Sequence, residues 1–407
     1  MSKEPQEEYG LNWRGKAAAF AEAARAPDAT LVPQPERSLG WDRTANLFIE
    51  GDNLPALKLL REDHAGQVGM IYIDPPYNTG QQFTYDDRFA DHSRWLSMMA
   101  PRLVLARELL RDDGLLFVSI DENEHRNLLL LLCEIFGEEH YLGDLVWKKK
   151  SGGGSDAAAF IVDHEYIPCF RKTAAARFGT DTEATVTTSY PHEDERGRYS
   201  LERLDKQNLG YEPGLDFPIE GPEGRSYTVH HKDPKNKRAR WRWSSKSVSE
   251  RYDELVFRGA CVYTKNYEKK GARPRSLLVE RRFGRTRSGK HDLQALFDSV
   301  MLDYPKPVRL LRHLIRIASQ PDSLVLDFFA GSGTTAQAVL EANQEDGGTR
   351  RWICAQLDEA VDPDCDAAKM GLSTISQIAI ERIRRASASL PDPRPDEDRG
   401  FRVFSLG

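Results

Sequence analysis

Cysteine is scarce in this 407-residue chain, and no two of its five cysteines form a C-x-x-C pair. Such scattered cysteines exclude a zinc-finger type of site and a disulfide framework, so we expect reduced thiols and no bound metal. Apolar runs are short as well, since none approaches the ~20 residues that a membrane-spanning helix needs. The acidic start, MSKEPQEEYG, lacks the pattern of a signal peptide. These absences predict a cytoplasmic protein with no membrane partner.

Basic residues are distributed unevenly along the chain. The formal net charge is -6, but residues 232–290 hold 19 Lys and Arg against 6 Asp and Glu, so this segment carries +13 and the rest carries -19. Trp241 and Trp243 lie among these charges, in the stretch KNKRARWRWSSK. A basic segment with interleaved aromatic residues predicts a surface for a polyanion such as nucleic acid. The alternative is an ordinary solvated charged face.

Apolar, β-prone runs alternate with helical patterns over most of the chain, which is typical of a parallel sheet covered by helices. We predict strands over 46–52, 68–74, 114–121, 141–150, 164–172, 323–329 and 350–358. We predict helices over 17–26, 53–63, 94–110, 127–137, 308–319 and 334–343. The alternation stops over 173–290, so a basic insert interrupts a single α/β domain. The predicted divisions are an N-terminal arm (1–43), a first domain half (44–172), the insert (173–290), a second domain half (291–390) and a C-terminal tail (391–407).

A glycine turn joins a predicted strand to a predicted helix in LDFFAGSGTTAQAVLEA, residues 326–342. Gly331 and Gly333 let a ligand approach the backbone closely, and the free N–H groups at the helix start favour an anionic group. Asp358 and Glu359 end the next strand, where such folds bind ribose hydroxyls. The turn also fits the dinucleotide pattern G-x-G-x-x-A, so a nicotinamide or flavin enzyme is a second interpretation, and tight helix–strand packing is a third.

The stretch IYIDPPYNTG, residues 71–80, ends an apolar strand in an acid, two prolines and a tyrosine. Open α/β sheets bind ligands at the carboxyl ends of their strands, so Asp74 is predicted to face a cleft. Pro75 and Pro76 hold the backbone extended, which allows the Pro75 carbonyl to point into the same cleft, while Tyr77 supplies an aromatic face. Two hydrogen-bond acceptors and a stacking surface suit the exocyclic amine of a planar base. A base in a duplex must flip out to reach them.

D-P-P-Y together with the downstream D-x-F-x-G-x-G-T of residues 327–334 resembles the DNA amino-methyltransferases. The order of the two motifs is similar to that of the permuted β-class. NLFIEGDNL, MIYIDPPYNTG, GLLFVSIDENE and YPKPVRLL resemble the modification subunits of type III restriction systems. The resemblance implies an α/β, Rossmann-like methyltransferase fold that uses S-adenosylmethionine, with a mixed seven-stranded sheet, circularly permuted motif order and a DNA-recognition insert.

The same resemblance implies direct methyl transfer to the N6 amino group of a flipped-out adenine in double-stranded DNA, within a restriction-modification system. Methylation of cytosine N4 is the alternative, because D-P-P-Y in this family goes usually, though not always, with adenine. A nicotinamide-dependent oxidoreductase is a more distant alternative.

The family also allows two protein partners: a second copy of the chain, in a homodimer, and a restriction subunit with helicase and nuclease activity.

Residue roles follow from matching positions of the motifs. The predicted catalytic residues are Asp74, Pro75, Pro76 and Tyr77. Lys306 is expected at the methionine carboxylate or else at the surface, and Asp52 near the adenine ring or else as a helix N-cap. The predicted cofactor site comprises Asp52, Lys306, Asp327, Phe329, Ala330, Gly331, Gly333, Thr334, Asp358 and Glu359. The predicted DNA contacts are Lys235, Lys237, Arg238, Arg240, Arg242, Lys265, Lys269, Lys270 and Arg273.

Overall fold

The computed structural model describes residues 10–80, 87, 89, 91–152, 160–184, 188–233, 235–299 and 301–407. Its strands are β1 (Leu31–Pro33), β2 (Leu47–Glu50), β3 (Val68–Ile73), β4 (Leu110–Val118), β5 (Tyr141–Lys148), β6 (His164–Arg171), β7 (His192–Asp194), β8 (Gly197–Arg203), β9 (Asp205–Lys206), β10 (Ile219–Glu220), β11 (Ser226–Tyr227), β12 (Arg240–Trp241), β13 (Leu255–Arg258), β14 (Cys261–Tyr267), β15 (Leu277–Leu278), β16 (Leu324–Asp327), β17 (Arg351–Gln356) and β18 (Arg402–Leu406).

The α-helices are α1 (Lys16–Ala23), α2 (Asn53–His64), α3 (His92–Leu109), α4 (His125–Phe136), α5 (Ser245–Glu250), α6 (Thr286–Phe297), α7 (Val308–Ala318), α8 (Thr334–Asp346), α9 (Asp366–Lys369) and α10 (Ile375–Ser389). Every helix and strand predicted from the sequence is present, with ends that differ by a few residues. Within the described ranges, none of the helices has both the length and the apolar character needed to cross a bilayer.

Ten of the described strands form one mixed sheet in the order β1-β18-β2-β17-β16-β3-β4-β6-β5-β15. Strands β2, β17, β16, β3 and β4 run parallel, and β6 is antiparallel to both of its neighbours. The predicted α/β fold is therefore confirmed. Three strands add to the predicted seven: β1 and β15 at the two edges of the sheet, and β18 next to β1. They escape prediction because they are short and lie in segments that were assigned to the arm, the tail and the insert.

Strand β3 shows why helices cover both faces of the sheet. Its sequence VGMIYI is buried throughout. Met70 and Tyr72 belong to one hydrophobic cluster with α7 and α8, whereas Ile71 and Ile73 belong to another with α2, α3 and α4. Because successive strand residues point to opposite faces, an all-apolar strand must be buried on both sides. The carboxyl ends of β3, β16 and β17 consequently meet at one edge of the sheet.

Residues 182–272 form a separate compact unit, while residues 1–181 and 273–407 form the other. A four-stranded antiparallel sheet, β13-β14-β8-β7, is the main element of the smaller unit. Its core contains Leu204, Ile219, Trp241 and Val262. The predicted insert was longer, 173–290, and its boundaries stay a prediction. Residues 277–278 pair with β5 in the large sheet, and residues 1–9 of the predicted arm lie outside the described ranges.

Candidate active site

A cavity of about 340 Å³ lies at the carboxyl ends of β3, β16 and β17. Aromatic, acidic and small side chains share its wall. Ten of the residues predicted to catalyse or to bind cofactor line it, namely Asp52, Asp74, Pro76, Lys306, Asp327, Phe329, Ala330, Gly331, Thr334 and Glu359. The other predicted residues, Pro75, Tyr77, Gly333 and Asp358, adjoin these along the chain. The fold therefore brings two motifs together that the sequence separates widely.

Asp74 stands at the end of β3 in a cluster of charged and polar side chains. Both of its carboxylate oxygens accept hydrogen bonds from the Lys306 ammonium, at 2.8 Å each. The Tyr77 hydroxyl lies 2.8 Å from Asp74 Oδ1 and 3.0 Å from Glu165 Oε2. Lys306 Nζ also contacts Tyr77 Oη at 2.8 Å and Glu165 Oε2 at 3.3 Å. Lys306 is thus buried against the catalytic motif and is not a surface lysine.

Burial and charge act against each other in this cluster. Burial raises the pKa of Asp74, and the neighbouring Lys306 offsets only part of that effect. Burial opposes the charged form of Lys306, yet the carboxylates of Asp74 and Glu165 raise its pKa above the ordinary value. Although burial opposes ionisation of Glu165, the ammonium groups of Lys306 and Lys149 lower its pKa. Lys306 and Glu165 are shielded from bulk water and Asp74 is partly shielded, so each charge depends strongly on its partners.

The loop after Asp74 is fixed by contacts that sequence reasoning did not identify. The Trp95 indole donates to the Pro76 carbonyl at 2.7 Å. Asn78 adopts a left-handed conformation, with φ at 60°, and its backbone N–H donates to Asp87 at 2.8 Å. Its side-chain amide donates to the buried Glu124 at 2.6 Å. These bonds hold the turn rigidly, so the position of Asp74 is set by both the strand and its following loop.

The glycine turn at the start of α8 forms another part of the wall, after β16, the strand next to β3. Gly331 has φ at 53°, and a Cβ built on it would meet open space. Its backbone N–H donates to Gln356 Oε1 at 2.7 Å, which ties the turn to β17. Gly333 has φ at 78°, and a Cβ there would lie 3.2 Å from the Ala379 carbonyl oxygen. The first glycine thus leaves room for a ligand, while the second permits close packing against α10.

Two buried charged groups support this turn. Asp327 accepts hydrogen bonds from the Phe329 backbone and from the Thr335 hydroxyl, and burial raises its pKa to about 7. Arg382 on α10 donates to Ser332 Oγ at 2.6 Å and to Thr334 Oγ1 at 2.7 Å. Burial lowers the pKa of Arg382 to about 10, so the guanidinium is still charged at neutral pH. Sequence reasoning missed Arg382, because ERIRRA is also a typical surface helix pattern.

Asp52 caps a helix and also lines the cavity. Its carboxylate accepts from the Leu54 backbone N–H at 2.9 Å, which makes it the N-cap of α2. It also accepts from Arg102 at 2.7 Å and lines the cavity. The next residue, Asn53, donates to the Phe328 carbonyl at 2.5 Å, which joins α2 to the strand before the glycine turn. Capping and a place at the ligand are therefore compatible.

The predicted DNA contacts in residues 182–272 differ in their exposure and in their partners. Arg242 donates to Glu202 at 3.1 Å and to Thr264 at 2.7 Å, and Lys265 pairs with Asp194 at 2.6 Å. Lys237 is exposed but pairs with Asp216 at 2.7 Å, and Arg240 is half-buried. The remaining side chains of this unit are exposed, namely Lys235, Arg238, Lys269 and Lys270, as is Arg273 at the start of the following segment. Arg242 and Lys265 thus stabilise their own unit.

All five cysteines are free thiols, and none lies in the cavity wall. Within the described part of the chain, no group of three or more His, Cys, Asp or Glu residues is arranged to hold a metal ion.

Comparison with known proteins identifies relatives over most of the chain. The sequence model of the N6/N4 DNA methylase family matches residues 68–362. The type III restriction-modification enzyme StyLTI Mod subunit of Salmonella typhimurium is 34% identical over 97% of this chain and 66% of its own length. The type II methyltransferase M.KpnI of Klebsiella pneumoniae is 32% identical over 86% of this chain and 90% of its own.

Among solved structures, a DNA modification methylase from Thermus thermophilus, complexed with S-adenosyl-L-methionine, has 13% identity and a TM-score of 0.42 over 88% of this chain and 98% of its own. This likeness is far weaker than the sequence matches. The family match and the two relatives rest on the sequence alone and agree with each other. The chain therefore belongs to the N6/N4 DNA methylase family, whose members use S-adenosylmethionine and which the two motifs predicted.

Proposed function

We propose that this protein methylates the N6 amino group of adenine in double-stranded DNA at a specific sequence. The observation that carries the proposal is that Asp74 and the glycine turn of Gly331 line one cavity. A target amine and a methyl donor placed in this cavity would therefore meet at the end of β3. The D-P-P-Y motif favours adenine over cytosine, because in the family that this chain resembles the motif goes usually with adenine.

The residues around the cavity fit S-adenosylmethionine. Because Gly331 has no side chain, the space where a Cβ would project is open, and a cofactor can approach the backbone there. Glu359 lines the cavity and is the better candidate for the ribose hydroxyls than Asp358. Asp52 also lines the cavity, and because its described hydrogen bonds use Oδ1, its Oδ2 can accept from the adenine end. S-adenosylmethionine supplies an electrophilic methyl group when it is bound.

The chain's own contribution to the reaction would be to orient the target amine. The lone pair of an exocyclic amine is delocalised into its ring, so the amine is a poor nucleophile. Hydrogen bonds from its two N–H groups to Asp74 and to the Pro75 carbonyl would localise that lone pair and direct it. Trp95 and Asn78 hold the loop that carries these acceptors, which keeps the geometry fixed before the base arrives.

DNA binding is proposed for the exposed cations of residues 182–272. Lys235, Arg238, Lys269 and Lys270 remain available at the surface to neutralise phosphates. Arg242 and Lys265 are excluded from this proposal because they pair with carboxylates of their own unit. A homodimer, a restriction subunit as a partner and a cytoplasmic location stay predictions of the family resemblance. The chain covers 66% of the Salmonella Mod subunit, so activities of that whole protein are likewise proposals here.

The test is expression in a host that lacks endogenous DNA methylation, followed by sequencing of its genome with detection of modified bases. N6-methyladenine within one short motif is the expected result. Detection of N4-methylcytosine would identify cytosine instead of adenine as the target, and an unmodified genome would refute the proposal. Asp74→Ala removes an acceptor for the amine and should lower the methylation rate by about 100-fold or more, as loss of one transition-state contact does elsewhere. Asp322→Ala, at an exposed residue, is the matched control.

A further inference from the structure

Lys306 occupies the acceptor that the proposed reaction requires. Both oxygens of Asp74 accept from its ammonium, at 2.8 Å each. Oδ1 also accepts from Tyr77, so while Lys306 stays in place a target amine is left with Oδ2, where it must share the acceptor with the ammonium. A buried ammonium cannot simply be released, because removal of one partner from a buried ion pair leaves an uncompensated charge. A Lys306 side chain that moves away from Asp74 as the base enters therefore needs a second carboxylate.

Glu165 on β6 is that second carboxylate. It is buried, and its Oε2 already lies 3.3 Å from Lys306 Nζ. The other oxygen, Oε1, lies 3.5 Å from Lys149. Both carboxylates thus share Lys306, and only a short movement of its side chain is needed to favour Glu165 over Asp74.

The backbone around Lys306 limits the movement to the side chain. Lys306 lies between two prolines, Pro305 and Pro307, and is itself buried. A Cβ on Gly289 of α6 would lie 1.9 Å from the Pro305 carbonyl oxygen, so the two segments are packed backbone to backbone. The unbranched lysine stem can shift its ammonium between two carboxylates while this backbone stays in place.

We propose that Glu165 is a positioning residue that takes Lys306 away from Asp74 when the target amine enters. The inference rests on the proposed function, since it concerns the amine that Asp74 binds. Positive charge develops on the target nitrogen during methyl transfer, and an ammonium held against Asp74 opposes it. Once Lys306 is paired with Glu165, Asp74 is free to accept from the amine and to stabilise that charge.

The experiment measures single-turnover methylation of sheared, unmethylated genomic DNA by the full-length protein with labelled S-adenosylmethionine. Four variants are compared: Glu165→Gln, Lys306→Met, the double variant of both, and Glu62→Gln as a control at an exposed residue. Binding of S-adenosylmethionine is measured in parallel by calorimetry, and folding by thermal unfolding. A protein that shows no methylation before any substitution would refute the proposed function and not this inference.

Glu165→Gln should lower the single-turnover rate by about tenfold or more, because Lys306 is then left with Asp74 as its main anionic partner. Its affinity for S-adenosylmethionine should stay within about twofold, as for a change away from the cofactor. The double variant should have a higher single-turnover rate than Glu165→Gln alone, since no ammonium then competes with the amine for Asp74. A structural role for Glu165 cannot produce this recovery.

Two results would overturn the proposal: a Glu165→Gln rate within about twofold of the parent, or a double variant no faster than Glu165→Gln. If Glu165→Gln does not fold, Glu165→Asp replaces it, because it keeps the charge but withdraws it by one methylene. The expected rate of Glu165→Asp is below that of the parent, with recovery when Lys306→Met is added. Absence of that recovery would refute the inference equally.

Discussion

Asp327 allows a quantitative prediction about stability and pH. Its carboxylate is almost fully buried at the end of β16, and its described hydrogen bonds come from the Phe329 backbone and the Thr335 hydroxyl. Burial raises its pKa from the ordinary 3.8 to about 7. An asparagine in the same place keeps the shape and one of the two acceptor oxygens but cannot ionise. We therefore expect Asp327→Asn to change the pH dependence of folding in a definite direction.

The sign follows from the raised pKa. The folded chain binds the Asp327 proton more tightly than the unfolded chain, so the stability that this proton contributes is fully present below about pH 4 and is lost as pH rises through about 7. A shift of about three units corresponds to about 4 kcal/mol at about 1.4 kcal/mol per unit. The asparagine variant has no such loss, so its free energy of unfolding should rise relative to that of the parent by about 3 kcal/mol between about pH 5 and about pH 8.

Urea unfolding of both proteins at the two pH values measures this gain. Asp322→Asn, at an exposed residue just before the same strand, serves as the control and should follow the parent at both pH values. A difference in the free energy of unfolding between Asp327→Asn and the parent that does not change with pH would refute the reasoning. A difference that shifts towards a more stable parent as pH rises would refute it as well. The variant should also bind S-adenosylmethionine less well, since Asp327 lines the cavity.

Two further predictions concern Arg382 and the basic surface. Arg382→Met removes the donor that Ser332 and Thr334 share, so calorimetry should show the affinity for S-adenosylmethionine reduced by about tenfold. Arg382→Lys should retain part of that affinity. Equal affinity of the methionine variant and the parent would contradict the role of Arg382 in supporting the turn. Replacing the four exposed cations at 235, 238, 269 and 270 by Ala should reduce the slope of log K for DNA against log salt by about one for each contacting residue. Arg242→Ala should instead lower the unfolding temperature and leave that slope unchanged.

Sequence patterns sufficed for elements whose burial is local. Strand β3 is apolar at every position, and Asp74 follows it directly, so both the strand and its functional edge could be predicted from one stretch of residues. The glycine turn could be placed between a strand and a helix in the same way, although its ligand stayed open among several interpretations. The cap role of Asp52 was open beforehand and is now confirmed, since it depends only on the first turn of α2.

Partners of charged residues could not be predicted, because the fold and not the local sequence determines them. Lys306 looked like a ligand for the cofactor carboxylate, yet its ammonium contacts Asp74 from a distant part of the chain. Glu165 lies in HEYIPCFRK, which signals only a strand. Arg242 lies in a basic run that indicated DNA contact, but the sheet places it beside Glu202 and Thr264. Charge density predicted a binding surface without indicating which cations are already paired.

The distance along the chain between Asp74 and Lys306, 232 residues, also matters while the protein is being made. At a synthesis rate of about 5–20 residues per second, roughly 10 to 50 s pass between the emergence of the two side chains from the ribosome. Strand β3 lacks its neighbour β16 for a similar time, and its sequence VGMIYI is a short apolar segment with no charge or proline. An unpaired edge of this kind is a site for aggregation. Soluble yield of this protein should therefore depend on chaperones that cover β3 until the second half of the sheet arrives, because slower synthesis lengthens this interval.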